Sequence, residues 1–171
     1  MIKPGTPAPT LDLPLTIGAR YELSKQNPEN FTLVVMYRGK HCPICKQQLK
    51  DLSSKLGEFT KRGINVVAVS MDSEERAMVV DEEWETGDVP IAYDMSEEKA
   101  REWGLYISEA REGSEEPAIF SEPGMFLVRP NGDLYFESIQ NAPFTRPPLD
   151  DLIKGIDFIM ENDYPTRGTL T

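Results

Sequence analysis

Two short apolar runs rich in β-branched residues, Phe31–Tyr37 and Ile64–Ser70, enclose a stretch of quite different periodicity. Between them Cys42, Cys45, Leu49, Leu52, Leu56 and Phe59 recur at spacings of three and four, which sets them on one face of a helix. Lys46, Gln47, Lys50 and Asp51 fall on the other face, and Gly63 stops the segment. The flanking runs have the length and branching of buried strands. Strand, helix and strand in that order favour a right-handed crossover with the two strands parallel in one sheet. The chain therefore reads as an α/β protein.

The remaining elements fit around this unit. Residues 4–24, punctuated by Pro and Gly, read as an N-terminal extension with a hairpin. Asp72 with Glu75 offers a cap for a helix over 73–86, Val89–Tyr93 is a short strand, and Ser96–Trp103 a short helix. Residues 108–122 are acidic and aperiodic, and read as an excursion loop. Gly124–Arg129 and Leu134–Ile139 flank Pro130-Asn131-Gly132-Asp133, a hairpin signal that adds antiparallel strands and makes the sheet mixed. Leu149, Leu152, Ile153, Ile156, Phe158 and Ile159 give Pro148–Asn162 the pattern of a closing amphipathic helix. No repeat or linker divides the chain, so residues 1–171 read as a single domain.

Charge narrows the partners. A net charge of −11 opposes nucleic acid and anionic membrane surfaces. No apolar run has the ~18 residues of a membrane helix, and Met1–Pro7 lacks the apolar core of a secretion signal. A cytoplasmic location is expected.

The chain has two cysteines, three positions apart. A bridge closing so short a loop adds little stability, because the entropic benefit grows with loop length. A structural zinc site takes four ligands, and two cysteines with the adjacent His41 do not supply them. No metal or cofactor is expected, and redox chemistry is what remains. At a helix start the unpaired amides and the helix dipole favour an anion. Cys42, expected at the exposed first turn, would be the low-pKa nucleophile and Cys45 its shielded partner. Pro43 fits the first helical turn and fixes the loop. His41 would stabilise the thiolate if protonated or accept a proton if neutral; a ring merely packed beside the site is the alternative.

Tyr37-Arg38-Gly39-Lys40-His41-Cys42-Pro43-Ile44-Cys45 resembles the active-site segment of the thioredoxin-like superfamily, in its peroxiredoxin-like AhpC/TSA branch. The resemblance covers most of the chain and implies a three-layer α/β/α thioredoxin-like fold with the N-terminal hairpin as an extension. It implies that Pro123 lies where thioredoxin-like reductases carry a cis-proline, so that a cis Glu122-Pro123 bond would present the backbone of Glu122 to a disulfide substrate; a proline at a strand entry is the plain alternative. Typical peroxiredoxins carry a peroxide-activating arginine at that position. In their pattern Cys45 takes the peroxidatic place, Cys42 a threonine's and Arg38 a proline's, and these departures count against efficient peroxidase activity. Arg38 could replace the missing charge or lie solvated on the surface. Met36 stands where thioredoxins keep a buried aspartate below the motif.

The leading expectation is thus a thiol–disulfide oxidoreductase, an antioxidant-type enzyme acting on a protein disulfide, a small disulfide or a peroxide and recharged by an upstream thiol reductant. The alternatives are a thiol-dependent peroxidase with Cys45 peroxidatic, and a redox-switched interaction module without turnover whose contact site would be 108–122. The resemblance leaves a homodimer open.

Overall fold

The structure is a computed structural model that describes residues 2–170. Its centre is a five-stranded mixed sheet in the order β5 (Ile91–Ala92), β4 (Ile64–Val69), β3 (Phe31–Met36), β8 (Gly124–Val128) and β9 (Leu134–Ile139). The apolar runs form its middle: β3 (Phe31–Met36) pairs parallel with β4 (Ile64–Val69), in register from Phe31 opposite Ile64 to Met36 opposite Val69. Between them run α1 (Pro43–Ser54) and a short α2 (Leu56–Thr60), broken at Lys55 rather than continuous. Gly63, at φ +71°, turns the chain back into β4. The expected hairpin is β8 (Gly124–Val128) with β9 (Leu134–Ile139), joined by a tight turn at Pro130–Asp133.

Side-chain alternation along β3 divides the interior into two layers. Phe31, Leu33, Val35 and Tyr37 face one core with Cys42, Cys45, Leu49 and Leu52 of the motif helix, Ala77 and Val80 of α3 (Glu74–Glu83), and Leu149, Leu152, Ile153 and Ile156 of α5 (Leu149–Asn162). Val34 and Met36 face the other, beneath α4 (Glu97–Glu102), Trp103 and the N-terminal hairpin of β1 (Asp12–Pro14) and β2 (Arg20–Glu22). Met36 is therefore on the face away from the cysteines, and the side chains below the motif are Val35 and Tyr37. Each fully buried leucine on α1 contributes about 1.5–3 kcal/mol to holding that helix against the sheet.

Three local expectations are corrected. The helix cap is Ser73, whose hydroxyl accepts the Arg76 amide; Asp72 is instead buried, accepting from the Lys40 amide at 2.7 Å and from Arg76 Nε at 3.0 Å. Residues 108–122 are not wholly a loop, because β6 (Ile107–Glu109) and β7 (Ile119–Ser121) pair antiparallel over part of them. The strand expected over Val89–Tyr93 shrinks to β5 (Ile91–Ala92).

The Asp72 contact makes Gly39 indispensable. Gly39 sits at φ +129°, and a Cβ there would lie 2.6 Å from Asp72 Oδ1. Gly39→Ala is expected to lower stability by about 1–3 kcal/mol, through left-handed strain and displacement of the Asp72 cradle. A reduced midpoint in urea unfolding would show it.

Candidate active site

The chain leaves β3 at Met36, crosses the Asp72 cradle at Gly39–Lys40, and enters α1 with Cys42 as its N-cap. The Cys42 sulfur accepts the amide of Cys45 at 3.2 Å, so one of the orphan donors at the helix start is given to sulfur. Pro43 follows at the first helical position, where the missing N–H costs nothing. Cys45, one turn in, receives the backbone N–H of Arg38 at 3.4 Å.

Both cysteines are reduced and buried, Cys42 at 1% and Cys45 at 0% exposure. The exposed position expected for Cys42 is thus corrected, because the loops on either side close over the helix start. What keeps this pocket polar is Arg146, which arrives from the segment between β9 and α5. Its Nη2 lies 3.1 Å from the Cys45 sulfur and 3.7 Å from that of Cys42. The guanidinium is aimed by Gln48 Oε1, which accepts from Nη1 at 2.6 Å, and by the Pro143 carbonyl, which accepts from Nε at 3.0 Å. Nothing in local sequence pattern indicates Arg146, which is 104 positions from Cys42.

The electrostatic consequence is one ionised and one protonated sulfur. Cys42 is held down to about 5: the Cys45 thiol donates to it, the Cys45 amide donates to it, and the Arg146 and Arg38 charges favour its anion against the opposing effect of burial. Burial pushes Cys45 up, and the neighbouring Cys42 anion adds to the push while Arg146 opposes it.

The other expected site residues are arranged differently. Arg38 is neither solvated nor free: its Nε donates to Glu122 Oε2 at 2.8 Å, Nη2 lies 3.6 Å from Glu116, and the guanidinium stacks 4.8 Å from the Phe120 ring centre. Glu122 is buried and also accepts from the Ser108 hydroxyl at 2.7 Å. Together these contacts fasten the β6–β7 hairpin over the motif. The Glu122-Pro123 bond is trans, since no cis peptide occurs among the described residues. Pro123 is a buried strand-entry proline, and the Glu122 amide already donates to Tyr106 O at 2.8 Å. The expected disulfide platform is absent.

His41 is corrected as well. Burial, with the Arg38 and Arg76 charges, lowers it to about 4, so it is neutral near neutral pH and cannot serve as an imidazolium. Arg76 Nη2 faces its Nδ1 at 3.4 Å, its Nε2 has no partner among the described residues, and its ring packs edge-on to Phe120 at 4.6 Å. With Nδ1 accepting from Arg76, Nε2 carries the proton, and no lone pair remains for general-base work. His41→Phe is accordingly expected to leave in place the acid limb of sulfur reactivity. That limb belongs to Cys42: reactivity stays level above about pH 6 and falls as protonation passes through about 5. A pH series of oxidation rates for both proteins checks this.

A model of the AhpC/TSA family matches residues 4–136, more than half of the chain. The chain belongs to the AhpC/TSA family. Two strain versions of a Mycobacterium tuberculosis protein described as a peroxiredoxin are 32% identical to this AhpC/TSA protein over 106 residues, 61% of the chain and 66% of their own length. Among solved structures, the peroxidoxin BcpB of Mycobacterium tuberculosis superposes with a TM-score of 0.74 over 93% of the chain and 99% of its own, at 17% identity. A mutant of peroxiredoxin 6 from Arenicola marina gives 0.76 over 94% and 74%, at 19% identity. These similarities establish the thioredoxin-like fold of this AhpC/TSA domain. Arg146 and the helix that follows it lie beyond the segment matched by the family model.

Proposed function

We propose that this protein is a thiol-dependent peroxidase whose redox pair is Cys42 and Cys45. The observation that carries the reading is Arg146 spanning two sulfurs that are almost closed to solvent. Such enclosure suits a small hydroperoxide better than a disulfide on a folded protein, and the trans Glu122-Pro123 bond removes the platform a disulfide substrate would use. The relatives described as peroxiredoxins agree with the choice. Arg146 also answers the objection raised by Pro123: the positive charge missing from that strand comes from a different segment.

In the reaction the Cys42 thiolate attacks the terminal oxygen of the hydroperoxide. An S–O bond forms, the O–O bond breaks, and the alkoxide or hydroxide that departs takes a proton from water. Cys42 is left as a sulfenic acid. The Arg146 guanidinium stabilises the negative charge developing on the departing oxygen, in a site where water competes little. The Cys45 thiol then attacks the Cys42 sulfur, its proton leaving with the hydroxyl as water, and a Cys42–Cys45 disulfide results. Two thiols of an external reductant restore the pair. We place the protein in a reducing compartment such as the cytoplasm, where those thiols are abundant.

A second assignment of roles, with Cys45 attacking, is favoured by its 3.1 Å contact with Arg146 and its N–H bond from Arg38. Rapid mixing with hydrogen peroxide, quenching with a sulfenic-acid trap and mass spectrometry separate these cases. The expected result is label on Cys42 before disulfide appears. Label on Cys45 exchanges the roles. No reaction with peroxide but turnover of glutathione disulfide makes the protein a disulfide reductase, and turnover of neither makes it a switch.

A further inference from the structure

The burial that shields the dithiol creates a difficulty for the second half of the cycle, and this inference rests on the proposed redox pair. A reductant must reach a sulfur of the Cys42–Cys45 disulfide in line with the S–S bond, yet neither sulfur is open to solvent. Some segment has to move. The segment between β9 and α5, residues 140–148, is weakly fastened. Among the described residues, no backbone amide from 141 to 147 donates to the backbone of another segment. Three of its residues, Pro143, Pro147 and Pro148, have no amide to give, and the last caps α5 without a side-chain bond. Thr145, a β-branched residue, is held at φ +57°, in the left-handed region such residues avoid. Phe144 is 61% exposed.

What holds this strap down is the Arg146 side chain, and its grip depends on the oxidation state of sulfur. In the reduced protein the guanidinium lies against the sulfur pair, one member of which is an anion. A disulfide carries no charge, so the half-buried guanidinium would lose its anionic partner and keep only the Gln48 and Pro143 oxygens as acceptors. A half-buried cation that loses its counter-ion at the buried end is held less tightly there and shifts toward water. The acid nearest along the same groove, Asp51, is already paired with Lys55. Thr145 would relax to ordinary backbone geometry on release.

We propose that residues 140–148 form a redox-released strap, clamped by Arg146 on the reduced Cys42–Cys45 pair and freed when the disulfide forms, so that the external thiol gains access. Release uncovers the groove of about 310 Å³ between α1 and the strap, lined by Ile44, Gln47, Pro143, Arg146, Pro147 and Leu149. The reductant's path is thus opened by the product it must reduce.

The test is limited chymotrypsin digestion of the full chain, followed by mass spectrometry of the fragments, in reduced protein and after oxidation by diamide. Diamide takes the two thiol hydrogens and two electrons onto its nitrogen–nitrogen double bond and leaves the Cys42–Cys45 disulfide, which intact mass confirms before digestion. The side chain of Phe144 is already exposed in the reduced protein, so faster cleavage after it reports that the surrounding backbone can leave its fold. We expect roughly tenfold faster cleavage after Phe144 in the oxidised protein, and Arg146→Met should be cut rapidly in both states. Equal rates in reduced and oxidised wild-type protein overturn the strap, as does accelerated cleavage at Phe59 or elsewhere in the α1–α2 region in place of Phe144. Failure of diamide to produce the disulfide overturns the strap and the redox pair together. Because diamide replaces peroxide here, a protein that consumes no peroxide but still releases Phe144 would refute the peroxidase reading alone.

Discussion

Arg146→Met slows oxidation by hydrogen peroxide by about 10²–10³-fold, the expected loss when a preorganised donor to a developing oxyanion is removed. The same substitution raises the Cys42 thiol from about 5 toward its ordinary value, because Arg146 is one of the charges holding its anion. The two effects can be told apart. Above the raised pKa the thiolate is restored and any remaining deficit in rate belongs to the missing donor. Arg146→Lys returns part of the charge but not the planar fork that reaches both sulfurs, so its rate should fall between wild type and Met. Arg146 sits on a half-exposed segment outside the sheet, and the melting temperature of these variants should stay near that of wild type. Rapid-mixing kinetics over a pH series measures all of this; an Arg146→Met rate within a few-fold of wild type at every pH would remove the arginine from the chemistry.

The second large effect concerns the sulfurs themselves. Cys42→Ser abolishes peroxide turnover down to the uncatalysed background, since the remaining Cys45 thiol is protonated and buried. Cys45→Ser behaves differently. It retains a single reaction with peroxide, accumulates Cys42 sulfenic acid, forms no intramolecular disulfide and stops after one equivalent. Peroxide consumption and intact mass distinguish the pair of variants. A Cys42→Ser protein that still consumed one equivalent would assign the attack to Cys45.

The crossover and the hairpin were legible because their signals are local. Continuous β-branched apolar runs decide β3 and β4, a period of three to four decides α1, and Asn131-Gly132 decides the turn between β8 and β9. The cysteine pair was legible for the same reason, since a helix start and a three-residue spacing are both short-range facts. Arg146 was not. It belongs to an irregular Pro-rich segment, and only tertiary closure brings it to sulfur. Its absence from the sequence reading is what made Pro123 look like a deficit in peroxide chemistry. Burial of Cys42 was missed for a related reason: periodicity assigns a helix face but not the loops that cover a helix end. Asp72 and Glu75 fit the three-residue spacing of a capping box, yet the one-residue choice between Asp72 and Ser73 depends on the cradle that Asp72 builds under Lys40. The sequence leaves Arg38 either as a replacement charge or as a solvated side chain and offers the Glu122 backbone to a disulfide, whereas the fold pairs the two side chains across 84 positions.

The most direct measurement is the alkylation rate of each cysteine as a function of pH, with iodoacetamide as the probe and peptide mass spectrometry as the readout. Cys42 should reach half of its limiting rate at about pH 5 while Cys45 stays unlabelled through neutrality. Labelling of Cys42 that begins only in the alkaline range of an ordinary thiol, or of Cys45 ahead of it, would contradict the assignment of the buried anion on which the mechanism rests.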